Sequence, residues 1–331
     1  MKLLILGGTE FVGRAVAEAA VARGHEVTVF HRGRHEPPEG VRTLLGDRTA
    51  EGGLAALTDG RWDVVVDTWS GAPSAVRDAA RLLAEGRAAR YVYVSSRSVY
   101  ADPVPAAADE AAPPVEGSPD AGDEVDYPRA KRGGELAAVQ EFGPDRSLLV
   151  RAGLILGPWE NIGRLPWWLG RMARGGEVLA PGPRDLPVQF IDARDLAEWI
   201  VSAADFGLCG PYNLVSPPDH TTMGELLEAC VRVTGGGAEL RWTDPEAILA
   251  AGVEPWNHLP VWIPPGELHR TMHGSNVWKA VLSGLRCRPV EETVADTWAW
   301  LESIGGEAPQ RPDRPRVGLD PETERRLLAQ R

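Results

Sequence analysis

"KLLILGGTEFVGR" spans residues 2–14, and its reading decides the fold. The apolar run after Lys2 is continuous rather than alternating, which suits a parallel strand buried on both faces. Two glycines break the run, and an alanine-rich helical pattern then extends over 11–23 until Gly24 ends it. Strand, glycine turn and helix form a phosphate-binding unit when a second strand follows, as "EVTVF" does at 26–30. In G-x-x-G-x-x-G spacing the positions fall on Gly7, Glu10 and Gly13. Gly7 makes the tight turn and Gly13 lets helix and strand approach, but the middle position carries an acid. A helix N-terminus favours negative charge, so Glu10 is expected to cap the helix and pair with Arg32 or Arg14. Two alternatives stand beside this: Glu10 holds a ribose hydroxyl itself, or the loop binds nothing.

The same pattern continues downstream. Strands are expected at 41–45, 62–67, 90–96 and 147–153, with a helix through "AVRDAARLLAEG" and another from Tyr127. A further helix is expected near 164–174 and a strand–helix pair over 188–204. This alternation defines an α/β protein with a doubly wound parallel sheet and a smaller second domain. The expected division gives 1–153 and 187–215 to a dinucleotide-binding domain, and 154–186 and 216–305 to a substrate domain. Residues 306–331 are left as a strap or disordered extension. Ten of the twelve tryptophans lie between Trp159 and Trp300, enough to build a core and to wall a substrate pocket. Residues 101–126 hold eight acidic residues, five prolines and no basic residue, so they are expected to be a loop, mobile or acting as a lid.

Composition narrows the partners. A net charge of -12 argues against nucleic acid and anionic membranes, both of which reward basic surfaces. Cys209, Cys230 and Cys287 form no ligand-spaced cluster and fit a reducing, cytoplasmic compartment. "MKLLIL" meets glycine too soon for a signal peptide, and no apolar run reaches membrane-spanning length.

The second strand ends in "FHRGR", which places His31, Arg32 and Arg34 where an acid would bind the adenosine 2′-hydroxyl of NAD. Guanidinium forks suit a 2′-phosphate, so NADP(H) is the favoured cofactor and NAD(H) the alternative. Asp47, after the third strand, is placed to accept from the adenine amino group or to serve as a turn aspartate. Cofactor-binding candidates are Gly7, Thr9, Glu10, Phe11, Val12, Gly13, His31, Arg32, Arg34, Asp47 and Arg48, with Thr68, Ser95 and Lys131 further on. Trp69, Arg97, Leu154 and Trp159 are the candidates on the substrate side.

The catalytic candidates come from "YPRAK". Tyr127 and Lys131 are four apart on a helix and therefore share a face. A phenol that ionises near pH 10 is a poor proton exchanger at neutral pH, and an adjacent ammonium stabilises its anion. Ser96, where "VSSRSVY" leaves its strand, is positioned to hold a carbonyl or hydroxyl while Tyr127 exchanges the proton, or to cap the strand end.

"GGTEFVG", "VYVSSRSVY", "YPRAK" and "RAGLILGP" together resemble the extended short-chain dehydrogenase/reductases of the NAD-dependent epimerase/dehydratase superfamily, well over about 1–215 and more loosely beyond. The resemblance implies sheet order 3-2-1-4-5-6-7, Ser96, Tyr127 and Lys131 as the catalytic Ser/Thr, Tyr and Lys, and a lysine that also holds the nicotinamide ribose. It implies substrate between the sheet and the smaller domain. Family members often form homodimers through helices flanking the fourth and fifth strands.

Three departures bear on substrate. Leu154 replaces the asparagine of R-x-x-N-x-x-G-P, Val188 and Gln189 replace the arginine before "FID", and Arg97-Ser98 replace the Asp-Glu of dehydratases. They point to an oxidoreductase of a small carbonyl or hydroxyl compound in specialised metabolism, with an epimerase/dehydratase on a sugar-like substrate as the alternative. An RNA-binding protein similar to the chloroplast stem-loop binders is the reading of another class, opposed by the acidic charge. His269 and His273 share metal-ligand spacing but lack a third ligand, so no metal is expected.

Overall fold

The apolar runs assemble into one seven-stranded sheet in the computed structural model, which describes residues 1–105, 107–312 and 314–329. Its strands are β1 (Lys2–Leu6), β2 (Glu26–His31), β3 (Arg42–Leu45), β4 (Trp62–Asp67), β5 (Ala88–Ser96), β6 (Ser147–Ala152) and β7 (Gly210–Leu214). The order is β3-β2-β1-β4-β5-β6-β7 and every pairing is parallel. Chain order reverses between β1 and β4, so the crevice beyond their C-terminal ends is where such sheets bind ligands.

Helices α1 (Phe11–Ala22), α2 (Pro73–Ala84) and α3 (Tyr127–Phe142) follow β1, β4 and the long loop after β5. Helix α1 packs on the helix Ala193–Asp205, and α2 packs on α3. Side chains alternate along each strand, so Leu4, Leu6, Val65, Tyr91, Tyr93 and Leu149 form one core with α2 and α3. Leu3, Ile5, Val64, Val66, Val92 and Val150 are equally buried and face the opposite way.

The chain divides into two compact units: 1–153 with 193–215 and 276–286, and 154–192 with 216–275 and 287–331. Three sequence expectations change here: residues 276–286, expected in the substrate domain, belong to the first unit. The run near 188 forms only the short strands Pro187–Val188 and Ile191–Asp192, and 187–192 belong to the second unit. The seventh sheet position is filled by Gly210–Leu214, whose leading glycine and proline conceal its strand character in the sequence.

In the second unit, Gly176–Pro181 pairs in parallel with Ala238–Thr243 beside the helices Arg164–Ala173, Met223–Thr234 and Val290–Ser303. Trp168 and Trp262 are fully buried in its core, each donating its indole N–H to a backbone carbonyl (Pro260, 2.8 Å; Gly182, 3.1 Å). The chain beyond 306 is no loose strap throughout: Pro321–Ala329 is a helix. Its buried Glu324 accepts from Arg171 Nε at 2.7 Å and from the Leu179 amide at 3.1 Å.

Candidate active site

The β1 and β4 registers align Leu6 with Asp67, so the glycine loop and the Thr68-Trp69 turn leave the same edge of the sheet. Gly7 and Gly8 take φ of 113° and 92°, and a Cβ on Gly7 would meet Thr68 Oγ1 at 2.6 Å. At Gly13 a Cβ would lie 2.6 Å from the Gly8 amide nitrogen. The loop is thus folded back on α1 so tightly that only glycine fits. We expect Gly13→Ala to displace the loop, lower stability by about 1–3 kcal/mol and weaken nicotinamide binding. Urea unfolding and a fluorescence titration check this, and unchanged values in both would contradict it.

Glu10 is the N-cap residue of α1, but its carboxylate makes no capping hydrogen bond. It lies 3.4 Å from His35 Nε2 instead, which corrects the expected cap and adds a partner that the sequence reading did not name. The first-turn amides of α1 therefore lack a carboxylate cap, as suits a helix end that receives a phosphate. Thr9 and Val12 are buried in this turn, and Phe11 takes a φ of 36°.

At the end of β2, His31 is buried and accepts from the Gly33 amide at 3.2 Å. Burial lowers its pKa, countered in part by Glu36. Arg32 and Arg34 are exposed. Asp47 accepts from both the amide and hydroxyl of Thr49, at 3.0 and 2.7 Å, which realises the turn-aspartate alternative. Those hydrogen bonds lower its pKa, and the charges of Arg32 and Arg34 add to the effect. The two arginines and Asp47 therefore belong to one charged cluster.

Arg48 was expected to meet cofactor, but its guanidinium turns inward. It forks the fully buried Asp67 at 2.7 and 2.9 Å and donates to the Ala75 carbonyl at 2.9 Å. Tyr91 donates its hydroxyl to the same carboxylate. Burial alone would raise the Asp67 pKa, and the Arg48 charge with these hydrogen bonds more than offsets it, leaving it lowered. Asp67 also accepts from the Trp69 amide at 3.0 Å. Thr68 donates its hydroxyl to the Leu6 carbonyl at 3.1 Å, and Trp69 donates its indole N–H to Ala72 at 3.0 Å.

Asp126 caps α3 by accepting from the Arg129 amide at 2.9 Å, which sets Tyr127 in the first turn with its side chain partly exposed. Lys131, one turn on, is buried. Its ammonium donates to the carbonyls of Trp69 and Val94, both at 2.7 Å, and sits 4.9 Å from the Tyr93 ring centroid. Ser96 ends β5 and accepts from the Ser98 amide at 3.1 Å, so it does cap the turn Arg97–Val99. Burial lowers the pKa of neighbouring Arg97 to about 10.

Ser95 does not turn toward the cofactor edge. It donates to Glu135 at 2.8 Å, inside a buried network in which Arg151 forks Glu135 at 2.9 and 3.0 Å. Arg151 reaches Tyr100 at 3.2 Å, Tyr100 donates to Asn213 Oδ1 at 2.6 Å, and the Asn213 backbone N–H donates to Glu110 at 2.7 Å. Glu110 thereby anchors the acidic loop, and Asp123 anchors it again by accepting from the Ala72 amide at 2.9 Å. The loop expected to be mobile or a lid is tethered at both points. The sequence reading missed Glu135 and Asp67; the i+8 spacing of Glu135 from Tyr127 and an acid ending "WDVVVD" were the available signals.

Leu154 and Trp159 fall in the second unit. Leu154 belongs to its apolar core, and Trp159 is half exposed with its ring 5.9 Å from that of Trp300. His269 and His273 are buried, with His269 Nε2 2.9 Å from the Pro187 carbonyl and His273 Nδ1 accepting from the Gln189 amide at 3.1 Å.

Sheet order, glycine loop and Tyr–Lys helix define a nucleotide-dependent enzyme class, and residues 3–214 match the NAD dependent epimerase/dehydratase family. The chain belongs to that family. Among solved structures it is similar to the enzyme WbmH of Bordetella bronchiseptica, in complex with NAD+, at 18% identity and TM-score 0.67 over 92% of this chain and 99% of that one. It is similar also to a UDP-glucose 4-epimerase of Thermotoga maritima with UDP-glucose, at 16% identity and TM-score 0.67 over 92% and 99%. A putative epimerase from Burkholderia cenocepacia shares 19% identity and TM-score 0.66 over 91% and 98%. No protein of curated function matches the chain. Among the described residues no helix is long and apolar enough to cross a membrane.

Proposed function

We propose that this chain is a nicotinamide-dependent enzyme of the epimerase/dehydratase type, acting at a hydroxyl-bearing carbon of a sugar-like substrate. One observation carries the reading: Lys131 is buried at the C-terminal edge of the sheet, one turn from Tyr127, while Ser96 ends the strand whose Val94 carbonyl holds the lysine. The glycine-only turn and the carboxylate-free first turn of α1 fit a nucleotide diphosphate. A bound nicotinamide supplies or accepts the hydride. Tyr127 takes or returns the hydroxyl proton, and the Lys131 ammonium stabilises the phenolate. Ser96 orients the reacting oxygen. Family membership supports cofactor retention through the cycle.

The second reading is a net NADP(H)-dependent reductase of a small carbonyl compound. It is favoured by Leu154, which lies in an apolar core and offers no donor to a sugar-nucleotide diphosphate. Retention separates the two. Under the first reading the purified protein carries nicotinamide and interconverts substrates without net absorbance change. Stoichiometric consumption of added NADPH, with oxidised nicotinamide released, would overturn it in favour of the second. The three free cysteines support cytoplasmic residence in either case.

For the cofactor we propose NADP(H). Arg32 and Arg34 are exposed beside Asp47, where a 2′-phosphate would meet two guanidinium groups. NADPH should bind at least about tenfold more tightly than NADH, roughly 1.4 kcal/mol, and Arg32→Ala should erase most of that preference. Titration of each nucleotide by fluorescence decides it. Tighter NADH would transfer the ribose contact to Glu10.

A further inference from the structure

The mechanism assigns no role to the Arg48–Asp67 pair, yet hydrogen bonds connect it to the catalytic lysine. Asp67 fixes the Trp69 amide at 3.0 Å, and the Trp69 carbonyl receives Lys131 at 2.7 Å. Arg48 forks Asp67, and its guanidinium lies 5.0 Å from the Trp69 ring centroid. Trp69 is thus held at its amide by Asp67, at its indole by Ala72, and over its ring by Arg48.

An ammonium has three N–H bonds at fixed angles. Lys131 donates to the Trp69 and Val94 carbonyls, and these two oxygens together fix the orientation of its head group. The Val94 carbonyl belongs to a strand paired on both sides and cannot move independently. The Trp69 carbonyl lies beyond the end of β4, and its position depends on the side chains that hold the turn. Arg48 also follows Asp47 directly in the chain, so the buried pair joins the loop after β3 to the lysine cradle.

We propose that Arg48 and Asp67 are positioning residues for Lys131, aiming its ammonium at the nicotinamide ribose by fixing the Trp69 carbonyl. The inference rests on the function proposed above. A charge held in a fork acts by geometry, so Arg48→Lys keeps the charge and loses the two-point grip.

The test is a double-mutant cycle read by titration with NADH or NADPH, whichever the wild-type chain binds more tightly, at a temperature where circular dichroism shows every variant folded. Arg48→Lys should weaken nucleotide binding about tenfold in the wild-type background and less than about twofold in the Lys131→Met background. Asp67→Asn should behave in the same way; where it does not fold, Arg48→Lys carries the test. An equal loss in both backgrounds overturns this proposal alone, because Arg48 would then act independently of the lysine. A Lys131→Met variant that binds nucleotide as tightly as wild type overturns the proposed function and this inference together. A purely structural role would lower the melting temperature and leave the two backgrounds additive.

Discussion

Tyr127→Phe is expected to lower turnover by about 10²–10⁴-fold while fold and nucleotide affinity survive. The substitution deletes one oxygen from a partly exposed side chain at the start of α3, where Asp126 and not the phenol supplies the helix cap. The helix cap is untouched, so a loss of this size with fold and affinity intact would come from proton transfer. Lys131→Met should lose activity similarly and also weaken nucleotide binding. Ser96→Ala should lose less, since it removes an orienting hydroxyl and the cap on Ser98 without removing the proton carrier. Rates are measured on whichever substrate is accepted, with bound nicotinamide as the count of sites. A wild-type rate in Tyr127→Phe would remove the tyrosine from the mechanism.

What was legible in the sequence is what local chemistry dictates. Continuous apolar runs announced buried parallel strands, and Gly7 and Gly13 announced a turn that no Cβ could enter. The spacing of Tyr127 and Lys131 announced a shared helix face. Less legible was anything set by partners distant in the chain. Arg48 reads as a cofactor ligand beside Asp47 until β4 delivers Asp67 to its fork from 19 residues away. Ser95 and Ser96 look equivalent in "VSS", yet the strand pleat turns Ser95 to Glu135 and leaves Ser96 at the strand end. The acidic loop has the composition of a mobile segment, but Asn213 and the Ala72 amide, far along the chain, tie it down.

Arg48→Met should destabilise the protein by about 3–5 kcal/mol at neutral pH, because it leaves the Asp67 carboxylate buried without its cation. Asp67 is fully enclosed, and its remaining donors, the Tyr91 hydroxyl and the Trp69 amide, do not neutralise it. The pH dependence identifies the cause. In the wild type the folded-state pKa of Asp67 lies below its unfolded value. Its contribution is therefore present above the unfolded pKa and is lost as pH falls through the folded one. Without Arg48, burial is the leading influence and lifts the folded pKa above the unfolded value. The sign then reverses: the folded state binds the extra proton, so stability falls as pH rises between the two values and recovers on acidification. The difference in urea unfolding free energy between variant and wild type should accordingly shrink from pH 7.5 toward pH 5, while titrations common to both chains cancel. If the difference is the same at both pH values, the cost arises from lost packing around the arginine stem and not from a stranded carboxylate.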